Sequence, residues 1–528
     1  MIRFVLTDSK VCMYKSLVSV GALTLLSRAA GFFRDVLLGA VLGAGMLADA
    51  FVVAQRLPNH FRTIFGEGAF NSAYVPSYAR VLQSEGLAAA RIFSGQIFLG
   101  LLASQIVLLA LAWIFTPYLI DLLAPGFRDD PEKFALTVTL TRITFPYLLF
   151  ITLVTLQSGT LNAHRRFTAA AMTPVVMNLS MIVFLSVAFL FSNPGLAASW
   201  GLTVSGVLQL ALTAGAAHHA GIFERFTRPS MTKHIKHFLT TLGPAVIGSA
   251  GAQIALFADT IIGSLLPTGG PSSIYYADRI YQLPLGVIGI AAGTVLLPEM
   301  SRLLAAGNPG AALHAQNRTM ALTLAVSAPF FIAFIMISDS IMRGVFLRGA
   351  FTAYAAQESA AVLTAYGFGL IAIVLLRSAV PSFQARGDTT TPMQIALTAV
   401  AINVALKIVL FKPFGAPGLA AATAAGAWIN LMLLCFFAIR RGLMRIDLFF
   451  WKATTTVTVA SFVLAVFALF APAPARQLTA SLGRFANVLE LLLLGATGAL
   501  VYGIVLFAAL RIAGVRLRRR PAVAASEP

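Results

Sequence analysis

The sequence predicts an all-α polytopic membrane protein with fourteen transmembrane helices: two six-helix lobes related by a parallel pseudo-two-fold, plus two C-terminal helices. Three observations predict it. Of the 528 residues 58% are hydrophobic and 11% charged, a balance too apolar for a soluble chain of this length. Fourteen stretches reach the roughly 18–20 apolar residues that a helix needs to cross a bilayer. Short motifs also recur between the two halves of the chain. No alternating strand pattern of membrane-barrel type competes.

In order, the spans are 17–43, 47–78, 92–120, 134–161, 169–192, 197–218, 238–266, 273–297, 318–340, 357–384, 390–411, 416–439, 450–472 and 486–510. Residues 1–12 read as a polar leader, with Met13 an alternative start. The first span is too long and too charged for a signal-peptide core and is retained as a helix. Residues 13–230 form the first lobe, 231–445 the second, 446–512 the two added helices, and 513–528 a basic tail. If the chain begins inside, the outer segments carry only Arg128, Lys133, Arg343, Arg348, Lys412, Arg476 and Arg484. The inner segments carry most of the 38 Lys and Arg, including Arg165, Arg166, Arg440, Arg441 and the tail. The positive-inside rule therefore places both termini in the cytoplasm.

The repeat sets the architecture. Ala48-Asp49, Gln55, Leu57-Pro58, Pro76, Arg80 and Leu82 are matched by Ala277-Asp278, Gln282, Leu283-Pro284, Pro298, Arg302 and Leu304. Thr173-Pro174 is matched by Thr391-Pro392. Six spans separate each pair, and an even number preserves direction, so the repeat is parallel and a cavity is expected between the lobes. The spans 450–472 and 486–510 fall outside it.

Eight cations lie inside apolar spans: Arg28, Arg34, Arg56, Arg62, Arg142, Arg279, Arg377 and Lys407. A charge at mid-membrane costs roughly 2.5–3.5 kcal/mol even on lenient scales, so such groups face water, a ligand or an ionic partner. The acids within reach are Asp35, Asp49, Glu67, Asp259 and Asp278, too few for complete pairing. Some cations can glue helices together, but the surplus points to an anion, and the planar arginine fork suits phosphate. Arg28 and Asp35, seven residues apart, share a helical face, as do Asp49 and Arg56, whereas Arg34 points elsewhere. Pro58-Asn59 interrupts the second span and frees backbone carbonyls, tolerable only beside protein or cavity water. In a second constellation, Asp259 lies in an apolar run, Asn403 and Lys407 share a face at i and i+4, and Thr423 follows on the next span. Either an Asp259–Lys407 ion pair or a cation site accounts for it.

Other chemistry is excluded or weak. The net charge of +19 does not indicate nucleic-acid binding, because no soluble segment approaches domain size. Cys12 and Cys435 offer neither a disulfide framework nor a metal set. His218, His219, His234 and His237 read as a solvated loop, so no metal site is expected. There is no GxxxxGK[ST] sequence and no nucleophile, base and oxyanion arrangement, which makes the chain a non-enzyme without a cofactor.

The stretch Ser27–Leu82, SRAAGFFRDVLLGAVLGAGMLADAFVVAQRLPNHFRTIFGEGAFNSAYVPSYARVL, resembles the N-terminal signature of the MurJ (MviN) family of bacterial lipid II flippases. That family sits in the superfamily that also holds the multidrug and polysaccharide exporters. APGF at Ala124, TFPY at Thr144, YYADR at Tyr275, GTVLLP at Gly293 and Thr391-Pro392 extend the resemblance over most of residues 13–440. It implies a fourteen-helix, two-lobe transporter in the bacterial cytoplasmic membrane that carries an undecaprenyl-pyrophosphate-linked peptidoglycan precursor outward by alternating access. It further implies that Arg28, Arg34, Arg62 and Arg279, with Arg56 close by, bind the pyrophosphate, and that Asp49, Glu67, Asp35 and Asp278 orient or gate them. Thr63 departs from a position that can be basic in the family. Sodium or membrane-potential coupling stays open at Asp259, Asn403, Lys407 and Thr423. Membrane lipids and the cell-wall synthesis machinery are expected partners. Polysaccharide-repeat flippases and drug antiporters of the superfamily are the alternative readings.

Overall fold

A computed structural model of the chain describes residues 2–63, 69–228 and 230–514. Among the described residues there is no β-strand. The helices are α1 (Ile2–Leu42), α2 (Met46–Arg62), α3 (Ala69–Leu123), α4 (Pro131–Thr144), α5 (Pro146–Ala163), α6 (Phe167–Ser186), α7 (Pro194–His219), α8 (Lys233–Ser264), α9 (Gly270–Pro284), α10 (Ile290–Ala305), α11 (Pro309–Met336), α12 (Ser338–Phe346), α13 (Ala353–Ala379), α14 (Pro381–Gln384), α15 (Thr390–Arg440), α16 (Leu448–Phe470), α17 (Pro472–Thr479) and α18 (Ala486–Ile512).

Local sequence sets where these helices begin. Asp130, Asn193, Thr232, Asn308, Thr352 and Asp447 each accept a hydrogen bond from a first-turn N–H of the helix that follows, satisfying a donor that the helix terminus leaves over. Pro131, Pro194 and Pro309 occupy first-turn positions, where a missing N–H costs nothing. The two longest helices each break at a glycine with positive φ: α3 at Gly86 (82°) and α15 at Gly415 (59°). Only glycine adopts that backbone without a Cβ penalty. Gly415 falls between the predicted spans 390–411 and 416–439. Nine helical segments among the described residues are long and apolar enough to cross a membrane, with α3 and α15 each counted once.

The matched prolines of the repeat share a local setting. Pro58 lies inside α2 and Pro284 closes α9, and in both places the chain passes into a widened π-type turn, at Thr63 and at Leu285–Gly289.

The chain forms two compact units, one running to Ser272 and including Arg348–Phe351, the other holding Ser273–Leu347 and the chain from Thr352 onward. In the first, Phe70, Tyr74, Tyr78 and Phe93 of α3 bury with Leu156 of α5 and Phe238 of α8; Tyr74 stacks on Phe70 at 5.1 Å and meets Phe238 edge-on at 6.3 Å. Through Phe238, α8 belongs with this unit, whose boundary follows the helix at Ser272. Apolar faces gain nothing by leaving lipid for one another, so close packing and interhelical hydrogen bonds hold such bundles together. Gly201 of α7 accordingly lets Phe184 and Met181 of α6 close on its backbone.

In the second unit Gly369 of α13 lies against Ala424 of α15 too closely for a Cβ. The helices outside the repeat, α16 and α18, dock on α11: Ala460, Leu464 and Ala468 bury with Ala325 and Ala328, and the Tyr502 hydroxyl donates to Ala325 O at 2.7 Å. The far end of α18 is fixed by Glu490, which accepts from Ser340 Oγ at 2.7 Å and from Arg476 Nε at 3.3 Å.

Candidate functional site

In the first unit, Arg34 bonds to side chains of two helices. Its Nη2 and Nε donate to Asp35 Oδ1 at 2.6 and 3.1 Å, and its Nη1 donates to Asn178 Oδ1 of α6 at 3.0 Å. Asn178 in turn donates to Ser27 O of α1 at 3.0 Å. The absence of a side chain at Gly31 brings Asn178 against α1. Its side chain only 12% exposed, Arg34 is thus aimed by two helices. Helical facing suggests Arg28 as the partner of Asp35; the structure gives Asp35 to Arg34 instead. A guanidinium on a long flexible stem curls round to its neighbour, which a Cβ-direction argument does not capture. Arg28 itself is exposed on α1.

On α2, Arg56 donates to Thr260 Oγ1 of α8 at 3.4 Å and Arg62 Nε donates to Asn59 Oδ1 at 3.0 Å. Glu67 lies outside the described residues. Asp49 departs furthest from the sequence expectation. Its fully buried carboxylate accepts from Lys133 Nζ at 2.8 Å, Gly269 N at 2.8 Å and Ser272 N at 2.9 Å, so its donors are a lysine and the N-terminus of α9 and not an arginine. Lys133, read from the sequence as part of an outer segment, is only 3% exposed and lies 4.1 Å from the Phe127 ring centroid. Helix N-terminal amides and an ammonium together neutralise an anion that the interior otherwise penalises.

In the second unit Arg279 lies over the Tyr275 ring at 4.7 Å and 3.9 Å from Asp278, which also accepts from Gln282 Nε2. Its side chain is about one-third exposed, so a stacked guanidinium still presents N–H groups. Lys407 is buried in α15; Asn403 packs against Gly426; the Thr423 hydroxyl donates back to Leu419 O at 3.1 Å. Asp259 belongs to the first unit and Lys407 to the second. Arg142 and Arg377 are exposed on their helices. His234, read as solvated, meets Glu85 at 2.7 Å. Among the described residues no three His, Cys, Asp or Glu side chains gather as a metal would require.

Sequence reasoning missed Asn178, Lys133 and Thr260. Asn178 had a signal, one turn beyond the Thr173-Pro174 motif that marked the repeat. Lys133 had a weaker one, in the first turn after the capped Asp130-Pro131 start. Thr260 had none beyond its place beside Asp259.

Long apolar helices that bring guanidinium groups onto hydrogen-bonding partners inside each unit define a multi-pass membrane protein of the transporter class. The sequence model of the family described as "Lipid II flippase MurJ" matches residues 38–493. A "Probable lipid II flippase MurJ" of Rhizobium meliloti is 42% identical over 436 residues, 81% of each chain. The "Lipid II flippase MurJ" of Burkholderia cenocepacia is 31% identical over 82% of this chain and 84% of its own. The solved structure titled "Lipid II flippase MurJ, inward closed conformation" superposes with a TM-score of 0.77 at 25% identity, covering 94% of this chain and 99% of that one. An inward-facing multidrug MATE transporter of the MOP superfamily shares the fold, at TM-score 0.60 and 12% identity. The chain belongs to the lipid II flippase MurJ family.

Proposed function

We propose that this chain carries lipid II from the inner to the outer leaflet of the bacterial cytoplasmic membrane by alternating access, without catalysing a covalent step. The family membership supports the substrate, and the presence of Arg28, Arg34, Arg56 and Arg62 on α1 and α2 of the first unit supports the chemistry. A lipid-linked pyrophosphate offers adjacent phosphate oxygens to planar forks, and each charge-assisted hydrogen bond contributes on the order of 1.5–3 kcal/mol. Arg34 stands ready because Asp35 and Asn178 fix its plane; a phosphate then exchanges with Asp35 as acceptor. Arg279, stacked on Tyr275, is the second unit's proposed counterpart. Asp278 and Glu67 are proposed to reorient these cations as the substrate arrives and leaves, with Asp49 held by Lys133 until the transition.

The proposed topology has fourteen crossings with both termini cytoplasmic: α1, α2 with α3 as far as Gly86, the rest of α3, α4 with α5, α6, α7, α8, α9 with α10, α11, α13, the two parts of α15 on either side of Gly415, α16 and α18. Asp259 of the first unit and, in the second, Asn403, Lys407 and Thr423 are proposed as residues of an ion pair or a cation site, with sodium or the membrane potential as the energy source. Membrane lipids and the cell-wall synthesis machinery are proposed partners.

Binding of purified protein to lipid II tests the reading, with a drug cation and a lipid-linked polysaccharide repeat as competitors. The expected result is preference for lipid II, weakened about tenfold or more by Arg34→Lys, which retains charge but loses the fork. Equal binding of the polysaccharide repeat, or preference for the cation, would move the assignment to another branch of the superfamily.

A further inference from the structure

Between α7 and α8 residues 222–228 are not helical, yet Glu224 there is only 3% exposed. Arg91 of α3 holds its neighbours: Nε donates to Phe223 O at 2.7 Å, and the Arg91 carbonyl accepts from Arg225 N at 3.0 Å. Beside this contact stands Gly95, where a Cβ would lie 2.3 Å from Arg225 O. Residues 223–225 therefore occupy a slot on α3 that exists because residue 95 has no side chain. Further along, Gln96 Nε2 donates to Ser230 Oγ at 2.7 Å and Phe226 packs edge-on to Phe98 at 5.3 Å.

The Glu224 carboxyl is flanked by Ser94 of α3 and Gln157 of α5, but neither oxygen has a well-formed hydrogen-bond partner among the described residues. The Gln157 amide nitrogen is left to face the carboxyl, while the hydroxyls nearby have partners of their own. Tyr74 bonds Ser94 at 2.8 Å and Thr160 at 2.6 Å, Tyr78 bonds His164 at 2.9 Å, and Thr213 of α7 donates to Gln157 Oε1 at 2.7 Å. The titratable groups that face it are Tyr74, Tyr78 and Arg91 of α3, with His164 behind Tyr78 and His218 of α7 against Phe223. A carboxylate in this setting loses water and regains only weak donation, from its own backbone, Gln157 and Ser94, which favours its neutral form. Burial accordingly pushes the Glu224 carboxyl above the usual carboxylate range, against the opposing pull of Arg91.

We propose that Glu224 is a proton-binding site that latches the α7–α8 connection onto α3: protonated, it keeps residues 223–225 in the Gly95 slot, and ionised, it draws them into water. Because the latched form binds the proton more tightly, the latch is complete at low pH and is lost as pH rises through the raised value. None of this depends on which lipid the protein carries.

Trypsin cleavage after Arg225 reads the latch in the full-length protein, since Arg225 must leave the slot to be cut. With rates normalised to a small peptide substrate, wild-type cleavage should rise about tenfold from the ordinary glutamate value, about pH 4.3, to about pH 9. Glu224→Gln, which stays neutral, should hold the low rate throughout, and Gly95→Ala should be cut rapidly at every pH. A flat wild-type profile, or an unchanged pH rise in Glu224→Gln, would overturn the proposal. Protection that follows sodium concentration at fixed pH would overturn it too, by making the ligand a metal cation.

Discussion

At the scale of single residues, what distinguishes the intramembrane charges is what each is bonded to. Asp49 is the clearest case, with three donors and no exposure. Removing one partner of a buried pair strands the other charge and costs about 3–5 kcal/mol, far more than losing a surface pair. Lys133→Met should therefore lower the thermal unfolding midpoint in detergent markedly, and adding Asp49→Asn should recover part of the loss. Additive losses would show that the two side chains act independently. Asn178 is coupled to function in a different way. It touches Arg34 and Ser27, so Asn178→Ala should leave stability within about 1–2 kcal/mol while weakening lipid II binding as a misaimed Arg34 would. Unchanged binding in a stable variant would mean that Arg34 does not need this support.

Among the elements, glycine placement decides which segments can approach. The Arg348–Phe351 segment reaches the end of α1 because Gly349 has φ 58° and a Cβ there would fall 2.2 Å from Ala40 O, while Ala350 N donates to that same carbonyl at 2.8 Å. Gly349→Ala should cost at least about 1–2 kcal/mol from the backbone alone, and hydrogen exchange should show the Ala350 amide losing protection. Full protection there would contradict the contact.

At the start of α15 a carboxyl is placed to make this end of the helix respond to pH. Hydrogen bonds from the Thr391 backbone and side chain, then Arg441, hold the Asp388 carboxyl below the usual carboxylate range. A depressed carboxyl stabilises above its unfolded value and loses that contribution as pH falls through its folded one. Exchange at the first turn of α15 should thus accelerate below about pH 4, and Asp388→Asn should remove most of that acid dependence. An equal acid response in the variant would assign it to another group.

Over the whole molecule, hydropathy and proline spacing made the helical class legible, because bilayer thickness and helix rise leave few solutions. The break at Gly415 was legible for the same reason. Partners were harder to read. Facing arguments place Cβ atoms, and Arg34 reached Asp35 through its stem; Lys133 looked like a loop residue because no local pattern reports a bond to a residue 84 positions away. The packing of α8 beside α3 likewise depends on Phe238 meeting an aromatic cluster distant in sequence. The cations that mark an anion handler were visible as composition, whereas the asparagine that aims one of them became visible only in three dimensions.

The central claim, that the arginines of the first unit move a lipid-linked pyrophosphate, is tested most directly in cells depleted of their own lipid II flippase. Expression of this chain should restore growth and make lipid II accessible on the outer face, whereas Arg28→Ala and Arg34→Ala, present at equal membrane levels, should do neither. Failure of the unaltered chain, or full outer-face accessibility with both arginines removed, would contradict it.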